Sequence, residues 1–172
     1  MALRPIVKWG HPTLHAPSAP VRDIDGKIAA LVEDMVETMY AAPGIGLAAP
    51  QIDVPLRVIV IDLSVGEDRS QLITLVNPEL VEQEGEQREE EGCLSVPKYY
   101  GTPPRPARVT VKGLDLDGKE RTYTATELLA RAFCHEIDHI DGLLFVDRLS
   151  PLKRDLLKRK LRKKARADDW DE

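Results

Sequence analysis

The stretch Glu127-Leu128-Leu129-Ala130-Arg131-Ala132-Phe133-Cys134-His135-Glu136-Ile137-Asp138-His139-Ile140-Asp141-Gly142 decides how the chain is read. Leu128, Leu129, Ala132, Phe133, Ile137 and Ile140 place apolar side chains around most of a helical circumference, and a helix apolar on several faces is one that other elements surround. Thr124 and Glu127 stand at capping-box spacing and Gly142 supplies a terminating residue, so a central, buried helix is predicted between those marks. Set inside it is His135-Glu136-Ile137-Asp138-His139, a match to H-E-x-x-H. At about 100° per residue the two histidines lie about 40° apart, one turn up, and Glu136 about 60° from His139, so three polar side chains share one arc. The ordinary alternative is a solvated helix or a chance match. In apolar surroundings, however, an unpaired glutamate is costly, and a metal-bound water is a partner that offsets the cost.

Outward from this helix the pattern alternates irregularly. Pro5, Pro12, Pro17 and Pro20 make the first 24 residues an irregular surface arm. From Asp25 to about Met39, Ile28, Leu31, Val32, Met35, Val36 and Met39 mark one face of an amphipathic helix. Gly44 to Gln51 is too rich in Gly and Pro for a regular element and reads as a tight loop. Arg57–Asp62, Ile73–Val76 and Leu80–Val81 read as strands, with Asn77-Pro78 as a turn between the last two. The glutamate-rich run from Glu82 to Glu91 reads as a solvated strand edge or hairpin. Arg108–Val111 and Arg121–Thr124 alternate around Asp115-Leu116-Asp117-Gly118 as a hairpin does. A last helix starts near Pro151 and runs through a basic segment, 151–166. The expected architecture is a single α+β domain over residues 1–172, with antiparallel or mixed sheets packed around the central helix and a basic carboxyl-terminal helix.

The 172 residues are 42% apolar and 31% charged, an ordinary globular composition that excludes disordered and collagenous chains. No run approaches the roughly 20 apolar residues that cross a bilayer, and Met1 to Pro5 lack the basic and then apolar run of a secretory signal, so the cytoplasm is the expected address. Cys93 and Cys134 are more in keeping with a thiol or a metal ligand than with a disulfide framework. The net charge of −5 conceals an asymmetry: residues 151–166 hold nine Lys or Arg against Asp155, a balance of +8, so the remainder carries −13. A terminal segment of opposite sign to the body implies a polyanionic partner or self-docking, blunted slightly by the acidic tail Asp168, Asp169, Asp171 and Glu172.

Two histidines do not complete a catalytic zinc-type site, which takes three protein ligands and a water. The position six residues after His139, where metzincins carry a third histidine, is Phe145, and the only glutamate downstream is Glu172. Cys93, in Glu91-Gly92-Cys93-Leu94-Ser95, is the remaining candidate: a thiolate on a turn between extended segments. A cysteine and two histidines with one open position make a sensible hydrolytic centre.

Three segments in this order, Gly44-Ile45-Gly46-Leu47-Ala48-Ala49-Pro50-Gln51, Glu91-Gly92-Cys93-Leu94-Ser95 and His135-Glu136-Ile137-Asp138-His139, resemble the motifs of the peptide deformylases, with weaker similarity over nearly the whole chain. The tail from Leu149-Ser150-Pro151 resembles the bacterial type that carries a carboxyl-terminal helix. One departure is Cys134, where many members have Gln before the first histidine. The resemblance implies removal of the formyl group from the amino-terminal formylmethionine of nascent polypeptides by a divalent metal on Cys93, His135 and His139. It implies ferrous iron, with zinc or nickel as frequent replacements. It implies Glu136 as the base that activates water, and Gln51 and the Leu94 backbone N–H as oxyanion donors. Gly44 and Gly46 are read as letting the substrate backbone approach. The methionine pocket is expected to draw on Ile45, Leu94, Phe133, Cys134 and the aliphatic part of Arg105. Glu91 and Asp138 are expected to brace the cysteine turn and the metal helix. The resemblance also implies docking of the basic helix on ribosomal RNA; neither a membrane nor DNA is an expected partner. The alternatives are an H-E-x-x-H metallopeptidase cutting internal bonds and a non-catalytic metal-binding, ribosome-associated protein.

Overall fold

A computed structural model describes residues 2–170; Met1 and the tail residues Asp171 and Glu172 lie outside the described residues. The elements are α1 (Gly26–Ala41), β1 (Gly46–Ala48), β2 (Val58–Ile61), β3 (Ile73–Glu84), β4 (Gln87–Arg88), β5 (Glu91–Cys93), β6 (Val96–Gly101), β7 (Pro104–Arg105), β8 (Arg108–Leu114), β9 (Glu120–Thr126), α2 (Glu127–Ile140) and α3 (Pro151–Ala167). The strands form a five-stranded antiparallel sheet in the order β1-β2-β3-β8-β9 and two small antiparallel pairs, β4-β7 and β5-β6. The chain is therefore α+β, as its pattern predicts.

The core follows from the alternation of β2. Val58 and Val60 face the α1 side, among Met35, Met39 and Leu47, while Ile59 and Ile61 face the α2 side, among Phe133, Ile140 and Val111. With both faces covered, the strand is apolar at every position, and all four residues are buried. Each such side chain contributes about 1.5–3 kcal/mol on leaving water. A third cluster gathers Leu14, Val96, Leu144, Phe145, Val146, Leu149 and Leu161 under α3. Helix α1 starts where expected: Asp25 Oδ1 accepts the N–H groups of Lys27 at 3.0 Å and Ile28 at 3.2 Å.

Four expectations are corrected. The arm is not confined to the surface. Leu14, in a 3₁₀ turn over Pro12–His15, is fully buried, and Val7 N–H and Trp9 N–H donate to the carbonyls of Gln51 and Ser95 at 2.8 and 2.9 Å. Gly44 to Gln51 is not all loop, because Gly46–Ala48 pairs with β2 and Ala49–Ile52 closes a 3₁₀ turn. Asn77-Pro78 does not separate two strands; the register slips between Val76 and Glu79 within one long β3. Asn77 occupies the left-handed region with φ 52°, which asparagine tolerates, and its amide donates to Val21 O at 2.9 Å and accepts from Val21 N at 2.8 Å, anchoring the arm. The capping box is absent as well. Thr124 belongs to β9, Thr126 is the cap residue without a side-chain cap bond, and Glu127 opens α2 at φ 54°. Gly142, at φ 83°, ends that helix as predicted, and a Cβ there would meet the Ala16 backbone at 2.8 Å.

Candidate metal centre

Helix α2 crosses beneath the sheet and presents His135, Glu136 and His139 to the hairpin of β5 and β6, whose turn carries Cys93. Cys93 Sγ stands 3.3 Å from His139 Nε2, which stands 3.2 Å from His135 Nε2; the three donor atoms all lie within 4.8 Å of one another. Bonds of about 2.0–2.3 Å to a tetrahedral ion place neighbouring donors about 3.3–3.6 Å apart. The arrangement thus has the size of a coordination shell. Among the described residues, Glu136 Oε1 and His139 Nδ1 are buried without a hydrogen-bond partner. A carboxylate oxygen so placed beside one sulfur and two imidazole nitrogens fits a divalent metal with water next to it.

The local charges have identifiable causes. Burial, opposed by His135, pushes the Glu136 carboxyl up to about 7. Burial also holds His139 far below its ordinary value, so it offers a lone pair. At His135 burial pulls down, but Glu136, Cys93 and Glu91 outweigh it and raise the imidazole well above its usual value. That concentration of negative charge is what a dication would neutralise.

Behind the donors runs a chain of ion pairs. His135 Nδ1 lies 3.3 Å from Glu91 Oε2; Arg105 grips Glu91 with Nε and Nη2, both at 2.9 Å, and reaches Asp138 Oδ2 with Nη1 at 2.7 Å. Arg148 closes the chain on Asp138 with contacts of 2.8 and 3.1 Å. Glu91 and Asp138 are the braces expected of them, and a carboxylate on the far nitrogen of a ligating imidazole fixes its ring and tautomer. At Glu91 burial alone would raise the carboxyl, but His135 and Arg105 hold it down at about 2.

Gln51 is 1% exposed. Its Oε1 accepts from Ala48 N–H at 3.0 Å, which aims Nε2 at Ser95 Oγ, 3.2 Å away, and toward Cys93 Sγ at 3.8 Å. Gly46 explains its own residue type: an added Cβ would meet Glu136 Oε2 at 2.5 Å, so the β1 backbone lies directly on the carboxylate. At Gly44 the same addition would meet Leu94 Cδ1 at 2.9 Å.

A cleft of about 680 Å³ opens over the centre and is lined by Gly44, Ile45, Gly46, Gln51, Glu91, Cys93, Leu94, His135 and Glu136, among others. Three expected pocket residues are elsewhere. Phe133 is fully buried in the core against Tyr123, with ring centroids 5.7 Å apart. Cys134 faces a separate depression behind α2 together with Arg148 and Asp138, and Arg105 lines that depression too, its charge spent on Glu91 and Asp138. Burial pushes the Cys134 thiol up to about 11, in keeping with an inert packing role. The reason is the helical period: Phe133 and Cys134 point away from the face of His135. Missed were Leu128, Arg131 and Ala132, which precede His135 by seven, four and three residues on that same face, and Tyr100 on β6. The helical spacing could have found the first three; nothing local signals Tyr100.

Comparison with known proteins agrees with this geometry. The family described as polypeptide deformylase matches residues 3–155. A peptide deformylase of Acidobacterium capsulatum is 51% identical over 170 residues, covering 99% of this chain and all of that protein. A crystal structure of a peptide deformylase from Legionella pneumophila superposes with a TM-score of 0.88 at 48% identity, covering 97% of this chain and 98% of the other. The peptide deformylase of Thermus thermophilus gives 0.86 at 40% identity over 94% of each chain.

Proposed function

The chain belongs to the polypeptide deformylase family and is a metal-dependent hydrolase that removes N-formyl groups from peptides; from that premise we propose how its own residues divide the work. Cys93, His135 and His139 hold the metal. One sulfur and two imidazole nitrogens suit zinc, nickel and ferrous iron, and ferrous iron is the proposed native ion on the family resemblance. When bound, the ion supplies positive charge that acidifies water and polarises the formyl oxygen.

Glu136 takes the water's proton at Oε1 and later delivers it to the departing amine. Burial raises the carboxyl above its ordinary value, which favours its holding the proton between the two transfers. Gln51 Nε2 and the Leu94 backbone N–H donate to the oxygen on which negative charge develops. Gln51 is preorganised for this by the Ala48 N–H that holds its other end, and it adds no charge of its own. Gly44 and Gly46 let substrate backbone lie close, with Ile45 and Leu94 against the methionine side chain. The products are formate and a peptide with a free amino-terminal methionine.

The observation that carries this reading is the convergence of Cys93, His135 and His139 beside the unpartnered oxygen of Glu136. Among the described residues the cluster has three donors, which supports an open catalytic position over a closed four-ligand structural site. In the decisive test, Glu136→Gln keeps a full equivalent of metal by elemental analysis while formate release from formyl-Met-Ala-Ser falls by about 10³-fold or more. Near-normal turnover would remove Glu136 from the mechanism, and cleavage of unformylated peptide at internal bonds would favour the metallopeptidase alternative.

The cytoplasm, where chains are synthesised, is the proposed place of action; no described helix is long and apolar enough to cross a membrane. We also propose that α3 docks on ribosomal RNA. Lys153, Arg159, Lys160, Arg162, Lys163 and Arg166 are exposed on it, which supports a polyanionic partner. Reversing Lys160 and Lys163 to glutamate is expected to abolish co-sedimentation with ribosomes at low salt, and unchanged co-sedimentation would refute it.

A further inference from the structure

The hairpin of β5 and β6 turns through two residues, Leu94 and Ser95, because Cys93 pairs directly with Val96. A serine at the tip of a hairpin ordinarily faces water. Ser95 is instead fully buried, and among the described residues its hydroxyl has one partner, Gln51 Nε2, which donates to it at 3.2 Å. One short turn thus carries both the Leu94 backbone N–H and a sequestered hydroxyl committed to the Gln51 amide.

Gln51 by itself has more freedom than an oxyanion donor can use. Its terminal side-chain torsion is soft, and the Ala48 N–H that holds Oε1 at 3.0 Å fixes a point without fixing a plane. The second bond, from Nε2 to Ser95 Oγ, removes the remaining rotation. The Gln51 Nε2 group has two hydrogens: one is spent on Ser95, and the other lies to the side of Cys93 Sγ, 3.8 Å from the nitrogen, where the metal donors converge. The anchor is held in its turn. Val7 N–H donates to Gln51 O at 2.8 Å and Trp9 N–H to Ser95 O at 2.9 Å, so the arm fastens the main chain of both residues and thereby sets the reach from hydroxyl to amide.

We propose that Ser95 is a positioning residue for the reaction: its hydroxyl fixes the plane of the Gln51 carboxamide, so that the N–H left over points at the oxygen that gains charge. The inference rests on the oxyanion role assigned to Gln51 above and deepens it. Charge on the formyl oxygen grows only as water attacks, so a turned amide costs rate and leaves substrate affinity nearly unchanged.

The test is a double-mutant cycle on the metal-loaded enzyme. Both kcat and KM for formate release from formyl-Met-Ala-Ser are measured for the parent, Ser95→Ala, Gln51→Ala and the pair, alongside metal content and Tm. Gln51→Ala removes a donor and is expected to lower kcat by about 10²-fold or more. Ser95→Ala keeps the donor but frees its plane, and is expected to lower kcat about tenfold with KM within about twofold of the parent and a full equivalent of metal. In the Gln51→Ala background the same substitution is expected to change kcat by less than about twofold, because nothing is left to position. A second loss of about tenfold there would show Ser95 acting independently of Gln51 and overturns the inference, leaving the oxyanion role standing. Unaltered kcat in Ser95→Ala, a change confined to KM, or failure of that variant to fold or to keep metal overturns it as well, by assigning the hydroxyl to the scaffold. Gln51→Ala as fast as the parent overturns the oxyanion role and the inference together.

Discussion

Gly46 shows how narrowly a single side chain can constrain the centre. With an added Cβ only 2.5 Å from Glu136 Oε2, Gly46→Ala forces the carboxylate aside while leaving Cys93, His135 and His139 in place. Displacement of a reacting group by about 1 Å costs on the order of 10²-fold. Gly46→Ala is therefore expected to lower kcat about ten- to a hundredfold with metal content unchanged, read by formate assay and elemental analysis in parallel. Loss of metal together with rate would show that the glycine serves the fold instead. This constraint is partly legible in the sequence: Gly44 and Gly46 mark places of close approach, but the neighbour they suggest is substrate backbone, whereas Gly46 lies against Glu136. Neighbours nearly a hundred residues apart leave no local signature.

At the scale of elements, the ion pairs behind α2 tie it to the β5–β7 region and to the turn that leads into α3. Arg105 is buried between two carboxylates, whereas the Arg148 side chain is 47% exposed, and the two are expected to differ accordingly. Arg148→Ala should cost about 1 kcal/mol, roughly 2–4 °C in Tm, and less in high salt. Arg105→Ala leaves Glu91 and Asp138 buried and uncompensated and should cost about 3–5 kcal/mol, together with weaker retention of metal because the His135 brace is lost. Equal losses from both variants, by thermal unfolding, would contradict this ranking. Elements with strong periodicity are readable from the sequence: α1, the β8–β9 hairpin, α2 and α3. The departures share a cause, which is that tertiary contacts override local cues. Thr124 is drawn into β9 by its pairing with Thr110, so the capping box never forms. The Gly-Pro stretch becomes β1 because β2 supplies an edge to pair with. Phe133 and Cys134, expected in the pocket from the resemblance, stand about 200° and about 100° from His135 around α2 and so face elsewhere.

Across the whole molecule, stability is expected to be bounded in pH by two different groups, one at each end of the range. The Glu91 carboxyl is held at about 2 against an ordinary 4.5, so its contribution is complete above about pH 4.5 and is lost as pH falls toward 2. At the other limit, burial and then the bond to Asp62 raise the Tyr40 hydroxyl from 10 to about 12. Its contribution is complete below pH 10 and is lost as pH rises through 12. Urea unfolding should therefore show Glu91→Gln differing most from the parent above about pH 5 and converging with it near about pH 2. Tyr40→Phe should flatten the decline above about pH 10. A parent curve independent of pH at both ends would remove these groups as the limits.

The buried Leu14 has a consequence for how the protein comes into being. Its shelter includes Leu161, and the arm that carries it clamps the Gln51 and Ser95 carbonyls beside the donors. Leu14 and Leu161, separated by almost the whole length of the polypeptide, meet to complete this cluster, and such distant partners come together late. While residue 161 is still untranslated the packing around Leu14 is therefore incomplete, although all three metal donors have already been made.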